Sequence, residues 1–448
     1  MQKLNIPEIY NKHILNCGIA NMSLSTPAYL KEQNLSGDAE SIEKIRADFK
    51  RYGIKVSYSA DEKDRRVIFS ATQQQKHAEF DSFVSECNGL ILRAGTWEPL
   101  VIPPHSLKSN IQADAVNAGI ARGEYDIMEA MDGTLINLYF YDNAWRISTA
   151  KGFDVTYLKW NTRVYLHVFK EVLAACGVDV DAFYASLDQC TSYTFCFTHP
   201  DFHPFWKMRA NNMKIVFIQS AELATERIST NNPFPNIPSQ KMVLGIKNIG
   251  TLFKALPAAM DDYLKGKEPN FGYILRVKSG VENPDTLAYG HIFLESRLLQ
   301  TIRNLYYNGR HTMAAREKKY DLEKYIVINS FLDKRVNTQF LQLFPQYLSA
   351  FETLEAISVK LITKMISILD CPVGKNPVGA AELKDEEPSE HPNAETLSAT
   401  VLCAELKKVY TIDVKSRDSA RLISTFVLNP KFIGIFYELY NVHLSGQV

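Results

Sequence analysis

The stretch Ile127-Met128-Glu129-Ala130-Met131-Asp132-Gly133-Thr134-Leu135-Ile136 constrains the fold more than any other part of the chain. An apolar run enters an Asp-Gly pair, and a β-branched and aromatic run continues to Tyr141. Asp-Gly is a tight-turn pair, and the runs beside it have strand composition. Read alone, the block is most simply a hairpin turn. Asp142-Asn143 marks a second turn, and Trp145 to Thr149 reads as the next strand. The pattern stays strand-rich from about 123 to 300. It includes Tyr193-Thr194-Phe195-Cys196-Phe197, Lys214 to Ile218 and Phe271 to Arg276.

Helical signals surround this centre. Ile42 to Phe49 has helical spacing, and Leu158 to Cys176 predicts a helix stopped by Gly177. Ile54–Ser59 and Arg66–Phe69 predict a hairpin across a charged turn, and Gly89–Leu92 and Pro99–Ile102 predict two more strands. The chain turns helical near 293, with Leu322–Leu332 and Leu348–Leu369 as the clearest helices. Residues 371–396 are rich in Pro, Gly and acid and read as a flexible insertion, and 397–446 return to helical patterning. The expected class is α+β. Three regions are expected: 1–75 of mixed α/β character, 76–305, and a helical 306–448.

A chain of 448 residues suggests two or three domains. Lys+Arg and Asp+Glu are both 50, which argues against a basic coat around nucleic acid and leaves room only for a local basic groove. Lys207-Met208-Arg209 and Arg316-Glu317-Lys318-Lys319 are the patches that could line such a path, although each reads first as solvated surface. No apolar run approaches the ~20 residues a membrane helix needs, and no signal peptide is expected from MQKLNIPEIYNKHIL. Seven cysteines without a Cys-x-x-Cys predict a reducing, cytoplasmic setting rather than a disulfide or zinc framework. His199 and His203 are four apart, but Pro200 and Pro204 argue against a shared helical metal face.

Six blocks then fall in a telling order. Glu86-Cys87-Asn88-Gly89-Leu90-Ile91-Leu92 is followed by Pro103-Pro104-His105-Ser106-Leu107-Lys108-Ser109-Asn110, then by Ala130-x-Asp132-Gly133. Arg146-Ile147-Ser148-Thr149-Ala150-Lys151-Gly152, the aromatic strand ending Thr198-His199-Pro200-Asp201, and Phe271-Gly272-Tyr273-Ile274-Leu275 come after. In order and spacing they resemble the nucleotidyltransferase (ATP-grasp-like ligase) domain of ATP-dependent RNA ligases, nearer the T4 RNA ligase 1 type than DNA ligases. The resemblance covers about 86–297, under half of the chain. It implies antiparallel sheets with helices, then a helical domain for substrate choice. It implies ATP and Mg2+ as cofactors and RNA ends as partners, with no membrane and an undetermined oligomeric state. A large DNA virus or phage origin would suit it.

The resemblance also assigns roles. Ala130 stands where the family has its nucleophilic lysine, with Asp132 and Gly133 completing the catalytic block. Glu129, Arg146, Lys151, Phe195, Phe197, Tyr273, Arg276 and Lys278 are the implied nucleotide-binding residues, and no metal ligand is assigned. The departures are equally plain. Asn88 replaces a usual arginine, Phe271 replaces the metal-binding glutamate, and neither Arg276-Val277-Lys278 nor Ile292–Arg297 matches the closing Lys-x-Lys strand well. Family chemistry passes AMP from the enzyme lysine to an RNA 5′-phosphate and then joins a 3′-hydroxyl. Alanine offers no nucleophile, and losing one costs on the order of 10⁶ in rate. Two explanations stay open: an engineered Lys→Ala change in a working ligase, or a natural pseudo-ligase that binds nucleotide or RNA. A capping guanylyltransferase fits less well, because the last third is helical rather than OB-like.

Overall fold

The computed structural model describes residues 24–59, 63–71, 81–108, 111–160, 163–203, 213–265, 267–278, 281, 290–306, 313–315, 317–370, 394–409 and 419–445. It divides into two compact units, 1–300 and 301–448. The insertion expected at 371–396 lies outside the described residues up to 393, as does the basic patch at 207–209 and Arg316.

The first unit is built on antiparallel sheets. β1 (Ile54–Tyr58), β2 (Arg66–Ala71), β3 (Asn88–Arg93) and β4 (Pro99–Val101) pair in sequence order. The sheet therefore runs across position 75. One face packs Val56, Val67, Phe69, Leu90 and Leu92 beneath helices Ser25–Glu32 and Ala39–Lys50. The second helix begins where Asp38 accepts a hydrogen bond from the Ser41 N–H, an N-cap, and buries Ile42, Ile45 and Phe49 on one stripe.

β5 (Tyr125–Glu129) and β6 (Thr134–Tyr141) belong to different sheets. The first is the edge of a three-stranded sheet, ordered β14 (Ile292–Glu295), β13 (Gly272–Val277), β5. The second lies within a five-stranded sheet, ordered β12 (Arg227–Ser229), β11 (Lys214–Glu222), β10 (Thr191–Thr198), β6, β7 (Ala144–Ser148). The Asp132-Gly133 pair is thus not the hairpin turn that the local sequence suggests. It is the crossing from one sheet to the other, because the register of β5 is satisfied by β13 and that of β6 by β10.

Both sheets bury one face under helices. In the five-stranded sheet Ile136, Leu138, Tyr193, Phe195 and Phe197 pack on the helix Tyr165–Ala175. That helix presents Tyr165, Val168, Phe169, Val172 and Leu173 at i, i+3, i+4 spacing and stops at Gly177, which takes φ +75. It begins seven residues later than its apolar spacing predicts. Tyr157 and Leu158 are exposed, and a short hairpin of β8 (Lys159–Trp160) and β9 (Arg163–Val164) precedes it. In the three-stranded sheet Tyr125, Ile127, Tyr273, Leu275, Ile292 and Leu294 pack on helices Ala113–Ala121 and Ile249–Ala255.

The second unit is helical among its described residues. Helix Leu322–Leu332 starts at an Asp321 cap, and helix Leu348–Asp370 buries Phe351, Leu354, Ile357, Leu361 and Met365 on one stripe. Helices Ala394–Val409, Ser419–Val427 and Ile433–Leu444 complete it, and Phe351 meets both Phe331 and Phe340. The α+β class, with antiparallel sheets followed by a helical C-terminal region, is the architecture found.

Candidate nucleotide and phosphate site

The crossing at 130–133 is held from both sides. The Ala130 N–H donates to the Gly272 carbonyl at 2.8 Å. Gly272 has φ +146, and a Cβ there would lie 2.3 Å from the Leu294 carbonyl oxygen, so only glycine fits. On the other side a Cβ on Gly133 would meet the Phe197 carbonyl at 2.7 Å and Cys196 Sγ at 2.8 Å. Ala130 is buried. His203 braces the loop from behind, its Nε2 3.0 Å from the Thr134 hydroxyl and its Nδ1 accepting the His199 N–H.

Register then sorts the three-stranded sheet into rows on the face away from its helices. Asp126, Arg276 and the neighbour of Ile292, His291, form one row; Met128, Ile274 and Phe293 form the next; Gly272 and Glu295 lie nearest Ala130. The segment after Ile237 extends this sheet, with Met242 opposite Met128 and Ser239 bridging to Phe217 of β11. Arg276 reaches the five-stranded sheet, where its Nη1 donates to the Ile218 carbonyl at 3.4 Å. Ile218 is the extra residue of a register shift between Thr194 and Phe195, so its carbonyl is released from the ladder.

The residues expected at the site fall into distinct places. Ala130, Asp132 and Gly133 sit together at the crossing. Arg276 and Lys278 share the cleft face, where Lys278 Nζ is 3.7 Å from Asp126. Phe195 and Phe197 do not reach it: both are fully buried on the helix side among Phe169, Phe183 and Phe202. Strand alternation gives the cleft face of β10 to Thr194 and Cys196 instead. Glu129 and Tyr273 also lie on the helix side of their sheet, and Glu129 pairs with Lys241 Nζ at 2.7 Å. Arg146 is drawn into ion pairing with Asp154, which also holds Arg66, beneath the first sheet. Lys151 is exposed in a turn closed by Thr149 and Gly152, and this turn abuts Gly89, whose Cβ would meet Ala150 Cα at 2.7 Å. Asn88 beside it donates to the Pro104 carbonyl at 3.0 Å.

Among the described residues, no side chain near Ala130 offers a nucleophile at the position where the resemblance expects a lysine. Cys196 is adjacent, but burial, with the Asp132 carboxylate second, pushes its thiol up to about 12, so it stays protonated at neutral pH. Lys241 is committed to Glu129 on the opposite face. Phe271, at the position where the resemblance places a metal-binding glutamate, is buried and apolar. Among the described residues no three His, Cys, Asp or Glu side chains gather as a resident metal would need.

Sequence reading did not find His105 and His291. Their rings meet edge-on at 5.1 Å, and burial pushes both downward, His105 to about 4 with the Arg276 charge adding to it. No motif spacing links residues 186 positions apart; only the pairing of Lys108 with Ile292 brings them together.

No family model matches the chain. A protein named "Putative RNA-ligase" in African swine fever virus, Badajoz strain, is 23% identical over 313 residues, 64% of this chain and 68% of its own length. The protein of that name in a tick isolate from Malawi is 22% identical over 333 residues, 68% of this chain and 72% of its own. The chain is similar to these viral proteins named putative RNA-ligase. Among solved structures, an archaeal ATP-dependent RNA ligase aligns with TM-score 0.37 at 11% identity over 71% of this chain and 79% of its own. An RNA ligase from Naegleria gruberi aligns with TM-score 0.29 at 10% identity over 48% of this chain and 65% of its own. The sheet-to-sheet crossing at Ala130–Gly133 is the place where the sequence resemblance expects the family's nucleophile block.

Proposed function

We propose that this protein is a natural pseudo-ligase: an RNA-ligase-type fold that binds nucleotide and RNA ends without forming a covalent enzyme–AMP. The observation that carries the reading is the cleft face beside Ala130. A working site needs a lysine nucleophile and cations for the phosphates. Here Ala130 is followed outward by Glu295, then by Met128, Ile274 and Phe293. A carboxylate and an apolar row do not align a triphosphate for covalent transfer as two lysines would, while leaving nucleoside contacts elsewhere free to bind. An engineered Lys→Ala change predicts one lesion in an otherwise competent site; Asn88, Phe271, Phe293 and Glu295 make several.

ATP is the nucleotide the resemblance favours, and RNA ends are the partner. The donor set does not fit a resident divalent metal, so an ion would enter only with the nucleotide's own phosphates, and no step here depends on one. The cytoplasm of an infected cell is the setting that fits the viral relatives and the cysteine usage.

The test is AMP transfer. The chain and its Ala130→Lys variant are incubated with α-labelled ATP and magnesium, and covalent label is read on the protein, with ATP binding measured in parallel. Binding by both and label on neither is expected. Strong label on Ala130→Lys would mean a working ligase with one residue removed, and would overturn the pseudo-ligase reading.

A further inference from the structure

We propose that Arg276, His105 and His291, with Lys108, form a binding site for a phosphate monoester dianion, and that its occupant is the terminal phosphate of an RNA end. The RNA part rests on the ligase-type reading above; the phosphate site stands on its own geometry.

Four basic side chains from three segments meet in one place. The loop after β4 brings His105 and Lys108, β13 brings Arg276, and His291 precedes β14. Lys108 and His291 are locked side by side, since the Lys108 N–H donates to the His291 carbonyl and the Phe293 N–H to the Lys108 carbonyl. All four are half-buried, not sealed. Among the described residues, the charged neighbours on the packed elements are Asp126 of β5 and Lys278 of β13, which pair with each other at 3.7 Å. Ser85 and the Ile218 carbonyl supply the uncharged contacts. Among the described residues, one carboxylate therefore stands against a cluster of cationic and protonatable groups.

The donors are also set to receive an anion. The His291 Nδ1 accepts the Val277 N–H at 3.0 Å, so in the neutral ring the proton sits on Nε2. His105 Nδ1 has only a 3.4 Å contact with Ser85 Oγ. Among the described residues, Arg276 makes one long hydrogen bond, to Ile218, out of the five N–H donors of a guanidinium. Burial, with the repulsion of the neighbouring basic groups added to it, holds both imidazoles neutral below their usual range while the cluster is empty. A dianion reverses the sign of that interaction and lets one or both imidazoles take up a proton. A phosphate monoester carries close to two charges near neutral pH, whereas a phosphodiester linkage carries one, so the cluster favours an end over an internal position. Arg276 lies four residues along β13 from Gly272, about 13 Å at ~3.4 Å per residue. The site is thus separate from the position of the missing nucleophile.

The experiment uses the full chain and a short oligoribonucleotide with a 5′-phosphate, its 5′-hydroxyl twin, ATP and inorganic phosphate. Binding is measured by calorimetry from pH 6.5 to 8, in buffers of different ionisation enthalpy. Preference for the phosphorylated twin by about tenfold at pH 6.5 is expected, narrowing toward pH 8, with net proton uptake. In Arg276→Gln and His105→Gln the preference should fall to about onefold. His105→Gln removes the long Ser85 contact and the ring packing on His291, so its fold is checked by melting, as is that of Arg276→Gln. Equal binding of the twins, or a preference that both variants keep, would overturn the site. Variant-sensitive binding of inorganic phosphate without RNA or ATP binding would support the site and sink the RNA-ligase-type reading instead. Variant-sensitive preference for ATP over both oligonucleotides would keep the phosphate site and overturn its assignment to an RNA end.

Discussion

Gly272 shows how much of the site one residue holds. Its backbone turns where an L side chain is strained, packs against the Leu294 carbonyl, and accepts the Ala130 N–H. A methyl at 2.3 Å from a carbonyl oxygen must push β13 from β14 or distort both. Strain and overpacking together predict that Gly272→Ala lowers stability by about 2–5 kcal/mol. Denaturant titration checks the number, and a Gly133→Ala variant with the same kind of backbone clash on the opposite sheet should behave alike. A change below 0.5 kcal/mol at Gly272 would mean that the two strands are not paired as described. These glycines were visible in the sequence as motif letters. What they touch was not, because Gly133 lies against Cys196 and Phe197, more than 60 positions on, and the Gly272 carbonyl takes its hydrogen bond from Ala130, 142 positions back.

At the scale of elements, the five-stranded sheet carries a buried polar row on the face opposite its phenylalanines. Thr194 Oγ1 donates to Asn137 Oδ1 at 2.7 Å, Asn137 Nδ2 donates to Ser148 Oγ at 3.3 Å, and Gln219, opposite Thr194, donates to the Ile102 carbonyl. Thr194, Asn137 and Ser148 satisfy one another from strand to strand, so the row fixes register across β7, β6 and β10, while Gln219 ties β11 to the segment after β4. Thr194→Val keeps the shape and leaves the Asn137 oxygen without its donor. The expected loss is about 1–3 kcal/mol, and a double-mutant cycle with Asn137→Leu should recover part of it, since removing both partners costs less than orphaning one. Additive losses would count against the bond. Periodicity made several elements legible: strand Thr134–Tyr141 and helix Leu322–Leu332 have the bounds their patterns predict. Alternation does not reveal which apolar face meets helices. Phe195 and Phe197 therefore looked like nucleoside contacts and are core, while Thr194 and Cys196 hold the other face. The bulge at Ile218, which frees the carbonyl for Arg276, has no sequence signature at all.

The first unit as a whole should respond to pH through a few buried groups of opposite sense. His105 and His203 are both pushed down to about 4 by burial, and His291 is pushed well below its usual range. In the unfolded chain these rings bind protons near pH 6.5, so the folded state holds fewer protons between about 4 and 6.5, and stability rises with pH across that window. Glu86 works the other way. Its carboxylate is buried against the first turn of helix Ser25–Glu32, accepting from the N–H and hydroxyl groups of Ser25 and Thr26. Burial outweighs those donors and pushes it up to about 7, so the folded state holds an extra proton between about 4.5 and 7, and this contribution falls as pH rises. Three histidines against one glutamate predict a net gain from pH 4.5 to 6.5, then a shallow decline to about 7 and a plateau above. All four tryptophans, Trp97, Trp145, Trp160 and Trp206, lie before residue 300, so their fluorescence reports this unit alone during urea unfolding. Replacing Glu86 by Gln lowers stability throughout, because the amide turns a donor toward the donors of Thr26, and should also erase the decline between 6.5 and 7. Inorganic phosphate at the His105–His291 cluster should lift the acid side of the profile, since bound anion favours the protonated rings that the empty site rejects. A profile that stays flat from pH 4.5 to 7 would mean that the histidines are hydrated in the folded state, and the cluster would lose the electrostatic tension on which its affinity for phosphate depends.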